Sequence, residues 1–445
     1  MTVVLSAEAG PKVGSAVRRR GAIGAVQALS YGGLARLLFV GAMLGMMTNG
    51  LSIAVAGLPL SLERLIGLSI IVLLVVVLIG GRQSYPGQRI CYLWLSWNAV
   101  LLVSALFTSD PLRHLPAFLI ALIPTATFWL IARYQFDHRF VGRITNRLLW
   151  ANGLFGTALL GLRVLHVSPE LFYDNLGRLK NLVLEANLYG SAIGFLLFVA
   201  LARTRASWQS LIMLGLVLLT FLASGSRMPY LAFGVCMPLY GILRSMATGR
   251  GINQSVIFPI WLAALIGMLA LGFWTKIEEI YVKNLSHEGT YSVRTYLMNI
   301  AFQRFQSKPV IGNGPGDFGF QSISILKQYG ATDVQALWVP NMTVAILHDS
   351  GLVGILLYAL AMVAILVTGL KTVLRGSVEH AAYLTAFVFV LLCSQASTVH
   401  LNIIFGIAAG LVMLPPVVRR VVHPTPYGVI PAGARFPALS PIGAD

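Results

Sequence analysis

Charge is what this chain has least of: only 11% of its 445 residues are Asp, Glu, Lys or Arg, against 57% hydrophobic and a mean hydropathy of +0.79. A soluble domain of ordinary composition carries about twice that charged fraction, so the balance excludes the soluble class and points to a polytopic membrane protein. Acidic residues are scarcer still, 15 against 32 Lys and Arg. In a membrane protein such an excess belongs first to cytoplasmic loops, and nucleic acid is not expected as a partner. The three cysteines, Cys91, Cys236 and Cys393, each fall inside an apolar run, without the paired spacing of a zinc site or a disulfide framework. No repeat of fixed period is present, and no outer loop holds an Asp-x-Asp motif or a histidine cluster.

What the chain has instead is apolar runs long enough to cross a bilayer, about twelve of them. They fall near 37–56, 65–80, 91–107, 114–132, 148–166, 184–202, 209–225, 229–246, 255–275, 341–370, 381–398 and 401–418. The expected fold class is an all-α polytopic membrane protein. With the amino terminus inside, the cytoplasmic segments hold Arg18 to Arg20 and Arg36; Arg82 and Arg89; Arg133, Arg139, Arg143 and Arg147; Arg203 and Arg205; Arg244 and Arg250; Lys371 and Arg375; Arg419 and Arg420. Every inner segment is then basic, as the positive-inside rule requires. The expected organisation is a basic cytoplasmic arm over 1–33, helices one to nine over 34–275, a large outer loop over 276–340, helices ten to twelve over 341–418 and a disordered cytoplasmic tail over 419–445. The arm is too long and too basic for a cleaved signal, so it is expected to be retained.

Positive charge on the outer side runs against this rule. Arg294, Arg304, Lys308, Lys276, Lys283 and Lys327 lie in the large loop, Arg163 near the outer end of the fifth span, Arg178 and Lys180 in the next loop, and Arg227 in Gly225-Ser226-Arg227-Met228-Pro229. An anionic ligand outside would account for them; solvated loop charges or lipid-headgroup partners are the plainer reading for the three lysines Lys276, Lys283 and Lys327. Arg227 precedes Pro229 near the first turn of the eighth span, where free N–H groups and a guanidinium together would hold an anion. A topological stop charge is the alternative there, and for Arg163 the alternatives are a buried partner or snorkelling to the interface. Candidate proton acceptors are Glu185, which with Asn187 opens the sixth span, the intraspan pair His348 and Asp349, and the loop residues His287 and Asp317. Glu185 could equally balance Arg178 or Lys180, and His348–Asp349 could be a structural pair. Outer aromatics, among them Trp274, Tyr281, Tyr291, Tyr296, Phe318 and Trp338, suit sugar stacking or an interfacial belt. Gly312-Asn313-Gly314-Pro315-Gly316 suits a phosphate loop or a plain tight turn.

Four segments, read together, resemble the O-antigen ligase and O-antigen polymerase superfamily of bacterial envelope glycan enzymes. They are LLTFLASGSRMPYLAF, VRTYLMNIAFQRFQSKPVIGNGPGDF, NMTVAILHDSGLVGILLY and, more weakly, LEANLYGSAIGFLL, covering roughly 184–370. The resemblance implies a fold like that of the C-type glycosyltransferases, located in the bacterial inner membrane with both termini cytoplasmic and a periplasmic active site. It implies a metal- and cofactor-independent glycosyltransferase that moves or polymerises undecaprenyl-diphosphate-linked repeat units onto an acceptor glycan or lipid. Membrane lipids and a chain-length regulator or other envelope assembly protein are the implied partners. Arg227 and Arg294 match the arginines that contact the donor diphosphate, so with Glu185 they are the catalytic candidates. Arg163, Arg178, Arg304, Asn187, Asn341, His348 and Asp349 are the substrate-binding candidates.

One departure matters. In the ligases the span after the outer loop opens with His-Asn, and that histidine is the proposed base; here the pair is Pro340-Asn341. His348 is no simple substitute, because eight residues along a helix amount to about 12 Å of rise and a turn of about 80°. The departure favours an O-antigen or exopolysaccharide polymerase over a ligase that caps lipid A core. A flippase for the same lipid-linked glycan is the alternative from another class, disfavoured by the absence of repeats and by the one-sided outer loop.

Overall fold

The computed structural model describes residues 32–48, 52–55, 58–80, 84–108, 110–167, 172–173, 178–183, 185–202, 207–249, 267, 290–319 and 339–416. In chain order these form α1 (Gly32–Gly45), β1 (Ser52–Val55), β2 (Leu58–Ser61), α2 (Leu62–Gly80), α3 (Gln88–Leu106), α4 (Pro111–Tyr134) and α5 (His138–Val164). They continue with α6 (Ala186–Leu201), α7 (Trp208–Ala223), α8 (Arg227–Thr248), α9 (Thr290–Ser307), α10 (Met342–Leu374), α11 (Val378–Cys393), a 3-10 turn (Val399–Leu401) and α12 (Ile403–Val412). The expected ninth span, 255–275, lies outside the described residues, as do the basic arm, the tail and Lys276, Lys283, His287 and Lys327.

The described chain is helical except for one antiparallel hairpin, which pairs Ser52 with Ser61 and Val55 with Leu58. The all-α expectation holds apart from that hairpin, which corrects the first span: the helix expected over 37–56 ends at Gly45. Ile53 and Val55 are β-branched and suit a short strand, and Pro59, which disfavours a helix interior, is tolerated because both strands of a two-stranded pair are edges. Among the described residues, α3, α4, α8 and α10 are long and apolar enough to cross a membrane, while α1, α6, α7, α11 and α12 are apolar but only 10–17 residues long. The expected fifth span begins earlier, at His138, because Asp137 accepts a hydrogen bond from Arg139 N and caps the helix.

α10 packs on α3 and α9, α11 on α6 and α8, and α4 on α2, α3 and α12. Their shared core is aromatic, with Trp94, Trp129, Tyr189, Phe198, Phe387 and Phe405 fully buried. Trp94 meets Phe128, Tyr358 and Phe405 at centroid distances of 5.4–6.3 Å, within the range of favourable edge contacts. This core holds still the helices whose outer ends carry the charged groups.

One irregularity governs that end of the molecule. α10 is broken at Gly351, whose φ of 63° and ψ of −163° are not helical. A break in so apolar a helix leaves backbone groups that must find other partners. The segment after α9 provides them. Asn313 N–H donates to the His348 carbonyl at 2.8 Å and Gly314 N–H to that of Asp349 at 3.0 Å. In return Leu352 N–H donates to the Pro309 carbonyl at 2.9 Å and Val353 N–H to that of Val310 at 3.2 Å. The approach is so close that a Cβ on Gly351 would lie against the Val310 carbonyl oxygen, and one on Gly312 2.5 Å from the Asp349 carbonyl carbon. Both glycines also have positive φ, at 63° and 76°. The glycine run is therefore a backbone joint between loop and span. From α3 and α4, Ser104 Oγ donates to the Ile311 carbonyl and His114 Nδ1 lies 2.9 Å from that of Pro315.

Gly351→Ala should destabilise the protein by roughly 2–4 kcal/mol, combining a strained φ with an overlap against backbone that cannot step aside. Thermal unfolding of the purified protein in detergent measures it; a shift within experimental error would mean that the joint tolerates separation.

Candidate functional site

α9 carries Arg294, Leu297, Ala301 and Arg304 at spacings of three, four and three, which places them on one helical face. Leu297 and Ala301 are buried against Phe318, Val339 and Ala345. The two arginines at the ends of that stripe are thereby aimed inward, each at a different centre.

Arg294 Nη1 donates to the Ala396 carbonyl at 3.0 Å, in the turn that follows α11. Burial pulls its guanidinium below the ordinary arginine value; Glu185 opposes this and Arg178 adds to it. Residues from three separate segments are thus within electrostatic reach. Glu185 is the exposed N-cap of α6. Arg178 lies against Gly225, where a Cβ would approach its Cγ to 2.9 Å, and Leu179 N–H donates to the Ala223 carbonyl at 3.0 Å. Gly225 (φ 57°) turns the chain between α7 and α8, and Arg227 opens α8 with its side chain exposed. Ser226, the N-cap of α8, donates its hydroxyl to Asn187 Oδ1 in the first turn of α6. Two helix N-termini are therefore stitched together beside Arg178, Arg227, Arg294 and Glu185. Their N–H groups carry partial positive charge that adds to the guanidinium field, an arrangement suited to a large anion.

Asn341 holds the residue next to the acceptor of Arg294. It caps α10 through Val344 N at 3.0 Å, and its amide donates to the Gln395 carbonyl at 2.8 Å, one residue before Arg294's acceptor. Met342 N–H donates to the Ser394 carbonyl at 3.0 Å.

The inner end of the α9 face forms a second centre. Arg304 Nη2 pairs with Asp317 Oδ2 at 3.0 Å, His348 Nε2 lies 3.8 Å from the same oxygen, and His348 Nδ1 bonds Asp349 Oδ1 at 2.7 Å. His348 is wholly buried and Phe318 meets its ring edge-on at 5.8 Å. The row Arg304–Asp317–His348–Asp349 thus sits on the backbone joint, basic and acidic groups alternating along it.

Arg163 is drawn into neither centre. Its guanidinium lies over the Tyr173 ring at 4.7 Å, and Tyr173 Oη donates to the Leu159 carbonyl at 2.9 Å. The side chain lies on the surface of the protein, with the Tyr173 ring as its aromatic partner. Reading by motif misses the Ser394–Ala396 carbonyls, although Ser394-Gln395-Ala396-Ser397 is a visible polar break between two apolar runs. It also misses Glu63, a buried carboxylate that accepts from Asn402 Nδ2 at 3.2 Å and Ile403 N at 2.8 Å and so caps α12 from outside. A lone acid beside an apolar run is the signal.

Residues 212–359, 148 of 445, match the family model described as O-antigen ligase, so this segment is similar to that family. No curated protein sequence matches the chain. The matched segment contains Arg227, Arg294, Arg304, Asp317, Asn341, His348 and both glycines of the joint; Arg178, Glu185 and Asn187 come from outside it. With the apolar helices, the match makes the chain a multi-pass membrane protein.

Asp317→Asn should cost about 3 kcal/mol, because it strips the carboxylate from a partly buried arginine and a buried histidine together. A melting temperature equal to wild type would show that the row contributes nothing to holding α9 on α10.

Proposed function

We propose that the protein is a membrane glycosyltransferase that transfers or polymerises undecaprenyl-diphosphate-linked glycan repeat units on the periplasmic face. The observation that carries this reading is that Arg178 and Arg294 lie within electrostatic reach of Glu185 at the start of α6, whose first turn is bonded to the N-cap of α8, which Arg227 opens. The proposed topology is twelve spans with both termini cytoplasmic and the 276–340 loop periplasmic. A chain-length regulator or other envelope assembly protein is the proposed partner class.

In the proposed reaction an acceptor hydroxyl oxygen attacks the anomeric carbon of the donor sugar, and the bond from that carbon to the diphosphate oxygen breaks. The bonding pair leaves with the diphosphate. Guanidinium groups and helix N–H donors aimed at that oxygen stabilise the growing charge more than they stabilise the ground state. Glu185 takes the proton from the acceptor hydroxyl. A direct displacement of this kind inverts the anomeric centre. Asn187 and Asn341 position the neighbouring segments, while Arg304, His348 and Asp349 support the loop from below.

Pro340 in place of the ligase histidine favours polymerisation over capping of lipid A core. The glycan profile of a deletion strain tests it: single carrier-linked repeats should accumulate, whereas loss of capped core would indicate the ligase.

Arg227→Ala and Arg294→Ala should each lower turnover by about 10²–10³ while the protein stays folded and inserted. Lysine should rescue poorly at either position, because a point charge lacks the bidentate fork. Wild-type transfer by either alanine variant in a reconstituted assay would remove the mechanism.

Glu185→Gln keeps size and hydrogen bonding but not basicity, so turnover should fall by about 10²–10⁴ with donor binding nearly unchanged. If it keeps normal turnover while His348→Gln loses it, the histidine takes over the assignment.

A further inference from the structure

Beneath the Arg294 turn lies a cavity of about 10 Å³ that the transfer mechanism does not use. Phe318, Val339, Ala345 and Leu401 form its apolar wall, and Asp349 and His400 are its polar lining. That volume accommodates one water and nothing as large as a sugar or a phosphate. His400 is 4% exposed, and its Nδ1 meets no hydrogen-bond partner within the protein. The ring hydrogen-bonds the Ser397 backbone, and burial pushes its pKa down to about 3, so the imidazole is neutral and Nδ1 is left for a donor. Asp349, the other polar residue of the lining, receives His348 Nδ1 on Oδ1 and keeps further acceptor capacity. One water, with two hydrogens, fits the space and can serve both.

We propose that this cavity is a binding site for a single water molecule that donates one hydrogen to His400 Nδ1 and the other to the Asp349 carboxylate. The row Arg304–Asp317–His348–Asp349 then extends to the connection between α11 and α12. That connection carries Ala396, whose carbonyl fixes Arg294. Its near end is tied to α10 through the Ser394 and Gln395 carbonyls and its far end to Glu63 through Asn402 and Ile403. The water ties its middle, so His400 is a positioning residue for Arg294. The positioning role rests on the donor-binding reading above; the water site does not.

X-ray radiolytic footprinting of the full-length protein in detergent, in heavy-oxygen water, tests both. Phe318 is 2% exposed, so it should be oxidised with heavy oxygen only if a water resides beside it. The label should be strong in the wild type and in His400→Gln, which keeps an acceptor, and should fall to background in His400→Phe. His400→Phe should also lower kcat about tenfold with donor KM nearly unchanged, the loss expected from one misaligned transition-state contact. An unlabelled Phe318 in the wild type overturns the site whether or not any variant folds, and so does a label that persists in His400→Phe. Wild-type kcat in a His400→Phe protein that has lost the label overturns the positioning role. Unimpaired transfer by Arg294→Ala would overturn the donor reading and the positioning role with it, while the footprint alone decides the water site.

Discussion

The break in α10 at Gly351 sets the terms for everything around it. A helix in an apolar environment cannot leave carbonyls and N–H groups bare, since each unpaired group costs several kcal/mol where water is absent. The chain meets that demand from one short segment, which both accepts from Leu352 and Val353 and donates to His348 and Asp349. Because α9 leads directly into this segment, the repair of the break also fixes where α9 lies. The direction of Arg294, ten residues up the same face from Arg304, follows from a backbone defect in another helix.

Electrostatics explains why the arginine cluster needs such support. Guanidinium groups gathered at one place repel, and burial of Arg294 adds a desolvation cost that Glu185 only partly offsets. An arrangement of this kind persists when the scaffold forces it and when a polyanion offsets the cost on binding. The scaffold here is explicit: Gly225 lets Arg178 lie on the turn, Ser226 and Asn187 bind α8 to α6, and the Ala396 carbonyl holds the third guanidinium. In the proposed reaction, repulsion held in place by hydrogen bonds is preorganisation for a developing negative charge.

Much of this is legible in the sequence, and the gaps have physical causes. Long apolar runs and the inward bias of positive charge declare a multi-pass membrane protein, because both follow from the bilayer and not from tertiary detail. The Ser-Arg turn and the α9 segment stand out because, in the topology expected from the sequence, basic residues there break the charge rule. The hairpin at Ser52–Ser61 does not, since a short apolar run of β-branched residues looks the same in either conformation. The glycine run at 312–316 is compatible with both a phosphate loop and a tight turn; its role as a joint depends on Gly351, 35 residues downstream of its last member, and no local spacing encodes that pairing. Acceptors such as the Ala396 carbonyl are invisible by nature, because every residue has one.

Proline at position 340 has a geometric meaning in this setting. Proline lacks an N–H and restricts φ, which suits a residue just before a helix N-cap, and Asn341 here makes three hydrogen bonds that depend on that entry: Val344 N to its Oδ1, its amide to Gln395 O, and Ala345 N to its carbonyl. Pro340 thus stiffens the entry to Asn341, which holds the residue next to the acceptor of Arg294 and itself offers no group that could take a proton. Arg294 also interacts with Glu185, which opens α6 beside the Ser226–Asn187 link. In the proposed reaction the proton acceptor is therefore Glu185 at the start of α6, while Asn341 at the start of α10 holds the turn whose Ala396 carbonyl fixes Arg294.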